Sequence, residues 1–168
     1  MVMPNKKSLK LDAINRKILA QIHLQSDVSN AKLAEIVNLS PAACSQRTHA
    51  LKEAGYYFNA HCEVDLDRIC EHVIAYLEFT LSDNSLESRK NFEAAIEVIP
   101  EFMDCLRLTG DTDYISFTCC SNITELNRLS DELSADKTLN IQKIVTRLVL
   151  DRPKFYLGYP IAKLKWLE

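Results

Sequence analysis

Between Ser40 and Lys52 the 168-residue chain places side chains suited to the edges of nucleic-acid bases: Ala42, Ala43, Ser45, Gln46, Arg47 and His49. Gln46 can hold adenine through two hydrogen bonds, and Arg47 can do the same with guanine. Arg47 and Lys52, with Lys32 further back, also suit phosphate oxygens, and the sequence alone leaves open which side chains reach bases. Two other groups invite chemistry. His61, Cys62, Cys70 and His72 are metal-ligand types within twelve residues, but their spacing matches no zinc pattern and strand neighbours alternate faces, so ordinary packing is the reading. Cys44 falls at a position that predicts burial between helices, where a free thiol behaves as a small hydrophobe. No acid–base constellation emerges, and neither a catalytic residue, a cofactor nor a metal is expected.

The elements that must position the first group are three short helices. Leu11, Ile14, Ile18, Leu19 and Ile22 form a helical stripe, with Asp12 in the first turn where it suits the dipole. Ser29 is a candidate N-cap for a second helix to Val37, with Leu33, Ala34, Ile36 and Val37 apolar. Asn38 tolerates the left-handed conformation, Ser40 can cap, and Pro41 fits a first helical position. The third helix runs from Pro41 through Cys44, Thr48 and Leu51 to Gly55, which suits the left-handed residue beyond a helix end. Small Ala34 permits a close crossing and Leu39 plugs the turn, which is the helix-turn-helix arrangement, with the third helix as reader. Any three-helix bundle would give a similar periodicity, with Arg47 and His49 on a solvated face. The charge distribution favours the reader: residues 1–62 carry a net +4 and the remainder −7, although the whole chain is at −3.

No apolar run approaches the ~18 residues of a spanning helix, and no signal-peptide core follows Lys6, Lys7 and Lys10. The six cysteines lie in regular elements without paired spacing, so reduced thiols in a cytoplasmic protein are expected.

The body alternates strands and helices. Residues 72–81 put Val73, Ala75, Leu77, Phe79 and Leu81 on one side of a strand. A helix over 85–99 stripes Phe92, Ala95, Ile96 and Ile99 before Pro100. Strands over 103–109 and 114–120 flank a tight turn at Gly110–Asp113. A helix over 123–134 and a strand over 141–150 complete the order. This predicts an α+β chain whose second half is a ferredoxin-like βαββαβ domain, a four-stranded antiparallel sheet with both helices on one face. The other face carries Ile74, Tyr76, Leu106 and Leu108, and so predicts a second copy of the chain as its cover.

From about Leu11 to Lys154 the chain resembles the Lrp/AsnC (leucine-responsive, feast/famine) transcriptional regulators. The matching residues are Leu11–Asp12, Ile18–Leu19, Leu33–Ala34, Leu39–Ser40–Pro41, Arg47, Leu51 and Gly55, then Thr109–Tyr114 and Thr146–Leu150. The resemblance implies a winged-helix-like reader of double-stranded DNA joined to a domain that dimerises, assembles to tetramers or octamers, and senses an amino acid or similar small molecule. It puts Thr109, Gly110, Asp111, Thr112, Asp113 and Tyr114 at or near the effector. There a glycine turn could offer amides to a carboxylate, and Asp113 could accept hydrogen bonds from an ammonium group; a plain hairpin turn explains Gly110 and Asp113 equally. By the same implication, residues 1–58 bind DNA, 59–71 connect, and 72–154 sense and oligomerise; residues 155–168 extend past the resemblance as a tail whose aromatics pack. The chain departs from the family pattern at Val28, Asn38, Thr48 and 55–58, which bears on operator preference. Two other functions are compatible with this sequence: a sensing module without DNA binding, kept alive by the weakly basic third helix, and an enzyme resembling sirohaem decarboxylases, which would need clustered His and Arg.

Overall fold

The computed structural model describes residues 9–57, 64–154 and 158–166. Two compact units divide the chain, one within 1–64 and 154–168, the other over 65–153. Among the described residues no helix is long and apolar enough to cross a membrane.

The first unit holds α1 (Ala13–Leu24), α2 (Asn30–Val37) and α3 (Pro41–Glu53). Each start is a side-chain cap: Asp12, Ser29 and Ser40 accept the N–H of Asn15, Lys32 and Ala43. Asp12 is thus the N-cap itself and not a first-turn residue. α2 stops at Asn38, whose φ of 56° directs the Leu39 N–H back to the Ala34 carbonyl. α3 stops at Gly55, with φ of 75°, where Gly55 and Tyr56 N–H groups return to Lys52 and Leu51 carbonyls. Ile18, Leu33, Ala34, Val37, Cys44 and Leu51 are buried together, and Leu39 packs against them. Residues 58–63, which include the start of the expected connecting segment over 59–71, lie outside the described residues, as do His61 and Cys62.

The C-terminal tail returns to this unit. Tyr159 stacks on His23 of α1 at 5.5 Å between ring centroids, and its backbone N–H donates to His23 Nε2. Arg16 of α1 lies 5.6 Å from the Trp166 ring centroid. Gly158 has φ of +87°, and a Cβ there would sit 2.6 Å from His23 Nε2, so only glycine fits this approach. Phe155, Tyr156 and Leu157 lie outside the described residues.

The second unit contains β1 (Val73–Leu81), α4 (Leu86–Glu97), β2 (Leu106–Arg107), β3 (Tyr114–Cys120), α5 (Ile123–Ala135) and β4 (Ile141–Leu148). Its sheet has the order β2-β3-β1-β4, with every neighbour antiparallel. Ala75, Leu77, Phe79 and Leu81 of β1 bury against Phe92 and Ile96 of α4 and Leu126, Leu129 and Leu133 of α5. β1 alternates as expected because one face meets these helices.

β2 is shorter than the strand expected over 103–109. The Asp104 carboxylate takes the Phe117 N–H at 2.9 Å, and the Asp104 carbonyl takes the Ser116 hydroxyl, so a side chain replaces the ladder there. Pairing survives on either side, as Phe102 opposite Thr118 and Leu106 opposite Ile115. β4 ends at Leu148, although the Val149 N–H still bonds the Ile74 carbonyl.

The opposite sheet face carries Ile74, Tyr76, Leu106, Leu108, Ile115, Phe117 and Val145, with Tyr76 and Phe117 rings 5.0 Å apart. Leu106 and Leu108 are exposed. Amid these residues Glu78 is held by Arg147, which keeps its carboxyl below the usual carboxylate range.

Candidate nucleic-acid interface and effector turn

α2 and α3 share a buried core of Leu33, Ala34, Val37, Cys44 and Leu51, with half-buried Leu39 of the turn between them packed against it. Burial of Cys44 and Leu51 turns one side of α3 inward. The outward stripe is then Ala42, Ser45, Gln46 and His49, all exposed, at the i, i+3, i+4, i+7 spacing of a single helix face. No side chain on this stripe carries a permanent charge. His49 Nε2 lies 3.3 Å from the Glu53 carboxylate, two turns beyond Ala42. Ala43 is half-buried, and Ser40 spends its hydroxyl oxygen on the Ala43 N–H at 3.2 Å. Lys52 is exposed near the end of α3, while Lys32 pairs with Glu35 at 3.0 Å on α2.

Arg47, expected at the groove, is engaged within its own unit. Its guanidinium donates to Asp12 Oδ2 at 2.7 Å and to Asn15 Oδ1 at 3.0 Å, tying α3 to the start of α1. Asp12 meanwhile caps α1 through Oδ1, at 2.7 Å from the Asn15 nitrogen. The Arg47 hydrogen bond, with the Asn15 backbone bond, holds the Asp12 carboxyl below its ordinary range. The physical reason is position: Arg47 lies one residue round the helix from the Ala42–Gln46 stripe, on the flank facing α1. Asp12 and Asn15 were not singled out as positioning residues, and no local pattern links them to a side chain more than thirty positions away.

In the second unit, Thr109–Asp113 connect β2 to β3. Gly110 has φ of +111° with open space where a Cβ would point, and Thr109 and Asp111 are exposed. The Asp111 carbonyl accepts the Thr80 hydroxyl at 3.2 Å, and Thr112 is half-buried. Asp113 is engaged internally. Its Oδ2 accepts the Leu81 N–H at 2.8 Å, its Oδ1 accepts the Asn84 amide, and its own N–H donates to the Phe79 carbonyl at 2.9 Å. The turn is thereby sewn to the end of β1.

Tyr114, placed by the resemblance at or near the effector, turns its side chain inward. Strand alternation points it at the helices, where it is 2% exposed, its ring lies 4.6 Å from that of Phe92, and its hydroxyl donates to Glu93 Oε1 at 2.7 Å. Burial, then the Glu93 bond, pushes the phenol up to about 12. Glu93 and Asn84 are the residues that sequence reasoning missed; Glu93 sits in α4 on no chemical motif, and only the sheet brings it to Tyr114. Among the described residues no cluster of three or more His, Cys, Asp or Glu side chains could hold a metal ion.

Residues 11–56 match a winged helix-turn-helix DNA-binding domain, and residues 74–157 match the Lrp/AsnC ligand binding domain. The chain is 28% identical over 127 residues to a leucine-responsive regulatory protein of Haemophilus influenzae, covering 76% of each. It is 29% identical over 124 residues to the transcriptional regulatory protein DoeX of Halomonas elongata, covering 74% of this chain and 78% of that one. A crystal structure of a Neisseria meningitidis transcriptional regulator in complex with L-Met superposes with a TM-score of 0.78 at 24% identity, over 90% of this chain and 97% of that one. With an α2–α3 helix-turn-helix in one unit and the four-stranded βαββαβ sheet in the other, this chain belongs to the Lrp/AsnC family of DNA-binding transcriptional regulators.

Proposed function

We propose that this regulator reads an operator with the α3 stripe Ala42, Ser45, Gln46 and His49, and that an amino acid bound beside the Thr109–Asp113 turn modulates that binding. The observation that carries the first part is the outward stripe of α3, whose opposite side is held inward by buried Cys44 and Leu51, and a major groove admits an α-helix. The second part is supported by exposed Gly110 and Thr109 backbone in a turn that Asp113 holds rigid, and by the L-Met carried by the Neisseria relative. Lys52 and Lys32 supply phosphate contacts at the edges of the groove.

The uncovered face of the sheet supports a homodimer. Tyr76, Leu106, Leu108 and Phe117 need an apolar cover, and a second copy brings the same residues. A dimer presents two α3 helices to half-sites about 34 Å apart, or a multiple of that spacing. Higher assemblies, tetramer or octamer, would wrap DNA, with the protein acting on the nucleoid in the cytoplasm. The residues brought together serve recognition and not catalysis.

Fluorescence anisotropy on the DNA upstream of the protein's own gene, across a salt series and with or without an amino-acid mixture, tests both parts. Tight, salt-sensitive binding above a scrambled control is expected, with a shift on adding the mixture. Binding equal to the control at low salt would move the assignment to a sensing module without DNA recognition at that site.

A further inference from the structure

The geometry points to an operator half-site read as A·T pairs, through thymine methyls against Ala42 and adenine against Gln46, with no guanine read by an arginine. This rests on the proposed role of α3 as the reading helix and concerns what that helix can recognise.

Guanine is usually read by a bidentate Arg or Lys donor pair aimed at O6 and N7. The arginine of α3 is anchored elsewhere: Arg47 Nη1 donates to Asp12 Oδ2 and to Asn15 Oδ1, at 2.7 and 3.0 Å, which holds the guanidinium on the flank facing α1. Lys52 stands beyond the third turn of α3, whereas the N-terminal turns of a reading helix are those that reach base edges. What those turns present is a methyl at Ala42, a hydroxyl at Ser45 and a carboxamide at Gln46, all exposed.

Each of these has a definite base complement. An alanine methyl offers nothing to a hydrogen-bonding edge and packs on the thymine C5 methyl; a carboxamide matches adenine N6 and N7 with one acceptor and one donor. Ser45 accepts either kind of edge and does not discriminate. His49 could meet a guanine, but it lies two turns along the helix with Glu53 against its Nε2. The stripe therefore discriminates by shape and by one amide, and its selectivity resides in the thymine methyl and the adenine edge.

The test begins with selection of duplexes from a random library by the full-length protein at low salt. The expected outcome is an A·T step in each half-site at the positions nearest the α3 N-terminus. Replacing those thymines with deoxyuridine removes only the methyl and should weaken binding about fourfold per contacted thymine, the equivalent of one buried methyl group. Ala42→Gly should show the same loss on thymine DNA and no further loss on deoxyuridine DNA, and Gln46→Ala should lower the preference for adenine about tenfold. Selection of guanine at those positions, or deoxyuridine duplexes bound as tightly as thymine ones, overturns the inference while leaving DNA binding in place. A library from which no duplex is retained overturns the reading-helix assignment itself, and this inference with it. The deoxyuridine arm uses the unaltered protein, so a variant that fails to fold does not decide the matter.

Discussion

Leu51→Ala tests how the buried side of α3 supports its outward stripe. Leu51 is 0% exposed and packs among Ile18, Leu33, Ala34, Val37 and Cys44, with no other large side chain of α3 fully buried. Truncating a buried leucine to alanine costs about 2–5 kcal/mol, from lost burial and from the cavity left behind. A unit of about 80 residues carries about 4–12 kcal/mol in all, so the loss removes a sixth or more of its stability. The chain has one tryptophan, Trp166, and it lies against Arg16 of α1 in this same unit. Urea unfolding followed by tryptophan fluorescence therefore reports on α1–α3 directly. The expected outcome is a lower midpoint with the slope unchanged, and DNA affinity that falls with the folded fraction. A midpoint shift worth under about 1 kcal/mol would refute the reasoning, because it would mean that the six-residue core does not hold α3.

Arg47→Ala separates an internal tie from a phosphate contact: it should lower the midpoint of the tryptophan transition yet leave the salt slope of DNA binding unchanged, whereas loss of a phosphate contact reduces that slope by about 1. Asp12 adds a pH signature, because its depressed carboxyl contributes stability that is present above its ordinary pKa of 3.8 and lost as pH falls through the lower folded value; Arg47→Ala should abolish most of that acid sensitivity. Tyr114, pushed up to about 12, works in the opposite sense, contributing stability below the ordinary phenol value of 10.0 that is lost as pH rises towards 12; absorbance titration should show a tyrosine ionising near 12, and Tyr114→Phe should remove that step while the smaller upward shift of half-buried Tyr57 remains. Asp113→Ala strands the Leu81 N–H, costs about 1–3 kcal/mol in the sheet unit, and should blunt the effector response while DNA binding without effector persists. Asp113→Asn keeps one carbonyl acceptor and should recover part of the response, measured by anisotropy with the amino-acid mixture.

Reading along the chain was enough for the helix ends. Ser29, Ser40, Asn38 and Gly55 act through neighbours three to five residues away, and each was found where its conformational preference put it. The same holds for the two faces of β1, since alternation at period two is a local property that burial on one side makes visible. The uncovered apolar face containing Tyr76, Leu106 and Leu108 was also legible from the register of single strands.

Tertiary structure alone decided the partners of polar side chains. Arg47 reads as a groove contact from its helix position, but Asp12 and Asn15 meet it only once α1 folds across α3. Asp113 reads as a ligand contact, yet the end of β1 brings Leu81 and Asn84 within its reach. Asp104 interrupts β2 by capturing a backbone group of β3, and Tyr159 finds His23 from 136 positions along the chain. Hydrophobic periodicity records which face is buried, because burial acts on every residue of an element at once. A hydrogen bond joins two atoms whose distance depends on the whole path of the chain between them, and no spacing in the sequence records that path.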